Sequence, residues 1–169
     1  MQLRLDRIPN RKLFELAISD KDGKVEFHTS TIGSGLSSIY ARRDVGIKQE
    51  VYRTILVECK TLDTIIREQK LDRINLLKMD IEGHELRALH GAKDAIAAGV
   101  IEMIMFEFGS ANVNSRTFFR DFWDLLNAKY NIFIIAPAGR LVVVDKYSED
   151  LEYFRGSSNY LAIWRSSVL

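Results

Sequence analysis

The sequence predicts an α/β domain, built on a mostly parallel sheet with antiparallel strands at its end and occupying residues 1–169 as one unit. Three observations lead there. From residue 61 onward, apolar strand-like runs alternate with segments of helical periodicity. Those runs are nearly continuous rather than alternating, as in strands covered on both faces. The last two strand-like segments, residues 141–144 and 160–164, arrive without a helical pattern between them, which predicts the antiparallel finish. A length of 169 residues suits a single core.

Residues 13–18 and 25–29 read as two short strands, and the turn Asp20-Lys21-Asp22-Gly23 between them is a hairpin signal. Residues 29–35 (TSTIGSG), followed by Arg42-Arg43, have the small, turn-forming composition of a surface loop. Residues 51–59 mix β-branched and apolar types as a strand does. Thr61 caps a predicted helix through Gln69 whose Leu62, Ile65 and Ile66 share a face. Residues 74–81 form an apolar run ending in acids. A helix over residues 84–98 then carries Leu86, Leu89, Ala92 and Ile96 at helical spacing, with Gly99 as its stop. Residues 101–108 (IEMIMFEF) are the next strand, and Phe118, Phe119, Phe122, Leu125 and Leu126 the apolar face of the next helix. Residues 132–136 make a further strand closed by Pro137-Ala138-Gly139, and residues 160–164 are placed at or near a sheet edge.

Composition removes several classes of function. Twenty-four Lys and Arg against 23 Asp and Glu leave a net charge of +1, so no basic excess points to nucleic acid or to an anionic membrane. One cysteine, Cys59, excludes an internal disulfide scaffold, and its strand-end context reads as a small core residue. No apolar run approaches the roughly 18 residues of a membrane span. The first residues, MQLRLD, hold no apolar block of the secretory type, so a cytoplasmic location is expected.

In open α/β sheets, sites form outside the carboxyl ends of the strands. Two central strands end in acids there: Asp80 and Glu82 after the first, Glu107 near the end of the second. An acid closing an otherwise apolar strand is better explained by a site than by packing. Asp80, Glu82 and Glu107 are therefore the candidate catalytic groups, and Gly83 lets the chain turn sharply into the helix. Glu85 is read instead as an acid favouring a helix N-terminus. His84, beside these acids, is a candidate ligand contact or proton carrier, whereas His90 reads as an ordinary helix residue and His28 as a solvent-facing strand residue. Lys78, inside an apolar strand, pairs with Asp80 or Glu107 or snorkels to the edge. Ser110 lies in a polar loop placed to touch a substrate. A divalent cation held by Asp80, Glu82 and Glu107 is an alternative without fixed ligand spacing to support it.

Taken together, residues 76–86 (LLKMDIEGHEL) and Leu89-His90-Gly91-Ala92 resemble the signature of the FkbM-type methyltransferases, a Lys-x-Asp-x-Glu-Gly strand end followed by a Glu-Leu pair and a Leu-x-Gly-Ala helix segment. Thr61-Leu62-Asp63, the Ala17-Ile18-Ser19-Asp20 turn and Phe106-Glu107 resemble further elements of that family in the same order. The resemblance implies a class I methyltransferase-like (Rossmann-like) fold that binds S-adenosyl-L-methionine. It also implies methyl transfer to the hydroxyl of a small-molecule acceptor, a sugar or a natural product. It places Ala17, Ile18 and Ser19 near the cofactor's adenine, while Lys78, His84 and Ser110 are by their position the candidates for contacting the acceptor. Members of the family begin with a strand reading Asp-x-Gly-Ala-Asn-x-Gly, which this sequence lacks; its only Gly-x-Gly, Gly33-Ser34-Gly35, lies in the turn-forming stretch of residues 29–35 rather than at the end of an apolar strand. The expectation is a domain truncated at its N-terminus, holding roughly the C-terminal two-thirds of such a fold. Two readings remain open: a methyltransferase whose isolated chain lacks the cofactor-binding half, and a non-catalytic module that pairs through an exposed sheet edge with another copy or chain.

Overall fold

A computed structural model describes residues 9–30, 39–40, 52–154 and 156–166. Strands β1 (Ala17–Ile18), β2 (Gly23–Ser30) and β3 (Tyr52–Lys60) form a small sheet in the order β1-β3-β2. β2 runs antiparallel to β3, from Gly23 opposite Cys59 to Ser30 opposite Tyr52, while β1 runs parallel to it through Ala17–Cys59 and Ile18–Lys60. The hairpin expected from Asp20-Lys21-Asp22-Gly23 is therefore not formed, because β3 lies between the two strands. The turn serves another purpose. Asp22 Oδ1 accepts from the Thr61 N–H at 2.7 Å and its Oδ2 accepts from Thr64 Oγ1 at 2.9 Å, tying the turn to the next helix. The first strand also shortens to two residues, with Leu13 and Phe14 exposed ahead of it.

Helix α1 (Leu62–Gln69) starts as expected, with Thr61 Oγ1 accepting from the Thr64 N–H at 3.0 Å. The single helix expected over residues 84–98 is two: α2 (Glu85–His90) and α3 (Lys93–Ala98). The break is at Gly91, where a Cβ would stand 2.1 Å from the Ser19 carbonyl oxygen, so only glycine admits this approach. Gly91 O also accepts from the Asp63 N–H at 2.9 Å. The Asp63 carboxylate in turn receives the Asp94 and Ala95 N–H groups, each at 3.0 Å, and so caps α3 from outside the helix.

The second sheet holds β4 (Ile74–Lys78), β5 (Ile101–Gly109), β6 (Tyr130–Ile135), β7 (Leu141–Val144) and β8 (Ser157–Trp164), in the order β4-β5-β8-β6-β7. Only β4 and β5 are parallel; β8 is antiparallel to both β5 and β6, and β6 to β7. The sheet is thus mixed rather than mostly parallel. β8 is central rather than at an edge, because Tyr160 and Ala162 are needed in the core opposite Phe106 and Ile104. Between β5 and β6 lie α4 (Ala111–Ser115) and α5 (Phe119–Leu126).

One face of this sheet presents Ile104, Phe106, Phe108, Tyr160 and Ala162 to α5, whose Phe119, Phe122 and Leu126 are fully buried. The Phe106 ring stacks on Phe122 at 4.7 Å between centroids and on Tyr160 at 5.5 Å. Phe118, expected on that apolar face, sits at the α5 N-cap and is exposed. The opposite face is covered less at β4, where Leu76 is 51 % exposed, so the sheet is not enclosed on both sides there among the described residues. Cys59 is buried, its thiol donating to the Lys21 carbonyl at 3.4 Å; burial pushes that thiol up, as expected of a packing residue.

Candidate functional site

The site grows from the end of β4. The Met79 N–H donates to the Met105 carbonyl at 2.8 Å, carrying the parallel ladder past the strand itself. Extending the Lys78–Met105 register by two places sets Asp80 level with Glu107. The chain then reverses through two residues with positive φ, Glu82 (57°) and Gly83 (93°). A Cβ on Gly83 would stand 2.7 Å from the Ala111 carbonyl oxygen, so the turn is pressed against the start of α4.

Glu85 holds that turn. Its carboxylate is 1 % exposed, and Oε1 accepts from the Ile81 N–H at 2.8 Å. Burial pushes the Glu85 carboxyl up, and the charge of Glu107 adds to the rise, against the N–H groups of Ile81, Glu85 and Gly83 that favour the carboxylate. Its role extends beyond the helix-terminus charge expected from sequence: it fastens the backbone that presents Asp80 and Glu82.

His84, the residue before α2, is buried as well, at 5 % exposure. Its Nε2 lies 3.1 Å from Ser19 Oγ and its Nδ1 3.1 Å from the Tyr40 hydroxyl. Burial pushes the imidazole down to about 4, with Asp20 opposing and Arg87 reinforcing the shift, so the ring is neutral at pH 7. The network continues to the surface. Ser19 Oγ donates to Asp20 Oδ1 at 3.1 Å, and Arg87 Nη1 donates to Asp20 Oδ2 at 2.6 Å.

These elements enclose a cleft of about 310 Å³ lined by Leu16, Ala17, Ile18, Phe27, Ile39, Asp80, Ile81, Glu82 and His84. Ala17, Ile18, Asp80, Glu82 and His84, picked from sequence, therefore meet around one space. Ser19 lies behind it, buried and bonded to His84. Lys78 lies outside the lining and forms an ion pair with Asp80 at 3.3 Å, both side chains more than half exposed. Glu107 and Ser110 do not line the cleft; Ser110 is exposed at the start of α4. Among the described residues, no three His, Cys, Asp or Glu side chains gather closely enough to hold a metal ion.

Neither Tyr40 nor the Asp20–Arg87 pair is legible in the sequence. Tyr40 is 44 positions from His84, and Asp20 is 67 from Arg87, so no spacing rule links them. A signal for Glu85 was present: an acid four places after Ile81 can reach back to that residue's N–H.

A mixed α/β core with acids on the loop after a parallel strand, beside an apolar cleft, is an arrangement suited to small-molecule chemistry. The methyltransferase FkbM domain family matches residues 3–132, and the chain belongs to that family. A 2-O-methyltransferase, NoeI, of Sinorhizobium fredii (strain NBRC 101917 / NGR234) is 33 % identical over 102 residues, covering 54 % of this chain. The chain matches 40 % of that relative's length. No solved structure gives a significant match. Among the described residues, no helix is long and apolar enough to cross a membrane.

Proposed function

We propose that this chain provides part or all of an S-adenosyl-L-methionine-dependent O-methyltransferase acting on the hydroxyl of a small molecule, a sugar or a natural product. The observation that carries the reading is the cleft itself: Ala17 and Ile18 from the end of β1 face Asp80, Ile81, Glu82 and His84 from the loop after β4. Its chemistry fits the cofactor. Ala17, Ile18, Phe27, Ile39 and Ile81 give apolar walls suited to a flat heteroaromatic ring, and the Asp80 and Glu82 carboxylates complement a cationic sulfonium. A volume of about 310 Å³ suits the adenosyl portion.

When bound, the cofactor supplies a methyl group activated by its positive sulfur. The chain's own residues orient an acceptor and relieve it of a proton. Asp80 is the favoured base: it is exposed at the cleft and paired with Lys78, the last residue of β4. Glu82 takes the orienting role from the turn that Glu85 fastens. Glu107, level with Asp80, adds negative charge to the same rim.

Calorimetric titration with S-adenosylhomocysteine tests the cofactor reading; absence of heat at millimolar ligand overturns it for this chain. Transfer of a labelled methyl group to a panel of saccharide and polyketide acceptors tests the reaction. A second reading, a module that acts only when paired, is favoured by the exposure of Leu76 on outer strand β4 and of Ile55 and Leu56 on β3. Sedimentation velocity separates the two, since a lone monomer across the micromolar range removes pairing with itself.

A further inference from the structure

We propose that Tyr40 is a positioning residue of this site, closing a ring of five side chains that locks His84 in one tautomer and leaves the base role to the cleft carboxylates. Each hydrogen bond in the ring fixes the next. Asp20, as a carboxylate, only accepts, so Ser19 must spend its one proton on Asp20 Oδ1 at 3.1 Å. Ser19 Oγ then has only lone pairs for His84 Nε2, 3.1 Å away, so Nε2 carries the ring proton and donates. A neutral imidazole with its proton on Nε2 has a bare Nδ1, which accepts from the Tyr40 hydroxyl at 3.1 Å. Arg87, whose Nη1 donates to Asp20 Oδ2 at 2.6 Å, lies beside the Tyr40 oxygen and so closes the circle.

Two consequences follow. Tyr40 is tied to the loop after β4, and its neighbour Ile39 lines the cleft, so the ring sets the position of one cleft wall. His84 borders the cleft, yet its single basic lone pair is filled by the Tyr40 proton. A proton leaving an acceptor hydroxyl has Asp80 and Glu82 to go to instead. Tilted packing of the Tyr40 and His84 rings, 5.5 Å between centroids, adds to the hold.

The inference rests on the proposed function for its ligand, but its first test does not. Long-range proton–nitrogen NMR correlations of the wild-type chain at pH 7 should show His84 protonated on Nε2. In Tyr40→Phe, the Nδ1 resonance should move to the position of an unbonded ring nitrogen. Protonation on Nδ1, or an Nδ1 resonance indifferent to Tyr40→Phe, overturns the ring whatever the protein binds. The second test is S-adenosylhomocysteine affinity. Tyr40→Phe should weaken it roughly threefold to tenfold, the equivalent of one neutral hydrogen bond. Unchanged affinity in Tyr40→Phe overturns the positioning role. A wild-type chain that binds no S-adenosylhomocysteine overturns the function reading and its ligand, while the ring still stands or falls on the NMR result.

Discussion

Acidification should destabilise this protein through His84 before any carboxylate of ordinary affinity is touched. The folded imidazole is held down to about 4 by burial, whereas in the unfolded chain it returns to 6.5. Between those values the unfolded state takes up a proton that the folded state refuses, so stability falls as pH drops through the window. At about 1.4 kcal/mol per unit, the full shift corresponds to a ceiling of roughly 3 kcal/mol, of which about 2 kcal/mol is lost by pH 5. Solvent at the mouth of the cleft trims this, so a loss of about 1–2 kcal/mol between pH 7 and pH 5 is expected. His90, also pushed down by burial, acts in the same direction, and Glu85, pushed up, acts in the opposite one. The His84 contribution is therefore isolated by comparison: urea unfolding of the wild type and of His84→Gln at both pH values. The variant should show a smaller acid loss, by about 1–2 kcal/mol. NMR titration of the folded wild type should show no His84 transition above pH 5. A midpoint near 6.5 in the folded state, or equal acid losses in the two proteins, refutes the reasoning.

Three other outcomes are expected. Asp80→Asn should lower methyl transfer roughly 100- to 10,000-fold while S-adenosylhomocysteine affinity, read by calorimetry, stays within about threefold; equal loss of both removes Asp80 from the base role. Gly91→Ala should destabilise by roughly 2–3 kcal/mol in urea unfolding, because its Cβ would stand 2.1 Å from the Ser19 carbonyl oxygen. A neutral result there means the break between α2 and α3 is not set by this contact. Asp63→Ala, which uncaps α3, should cost about 1 kcal/mol and lower the melting temperature by roughly 2–4 °C, whereas Asp63→Asn should recover much of that.

Some of the fold was legible in the sequence because local rules sufficed. Thr61 caps α1 through a contact three residues away, and Leu141–Val144 is a strand with the bounds its β-branched run predicts. The break at Gly91 was not legible, since the constraint is a carbonyl 72 positions earlier in the chain. Nor was the central place of β8: an apolar strand at the end of a sequence reads the same at an edge or in the middle, and its neighbours are chosen by the packing of Tyr160 on Phe106. The turn at residues 20–23 shows a local signal overruled, its Asp22 spent on α1.

The candidate site divides along the same line. By itself the sequence determined the family, through the ordered motif around residues 76–92, and it located Asp80, Glu82 and His84, because residues so close in the chain meet in any fold that turns after β4. Tertiary structure alone decided that Tyr40 holds His84 and that Ser19 lies behind the cleft rather than in its lining. It also decided that Glu85, which the sequence reads as a helix-terminus charge, is the buried fastening of the turn. Burial and long-range hydrogen bonding have no period along the chain, so what a titratable side chain does is settled only when the elements around it have packed.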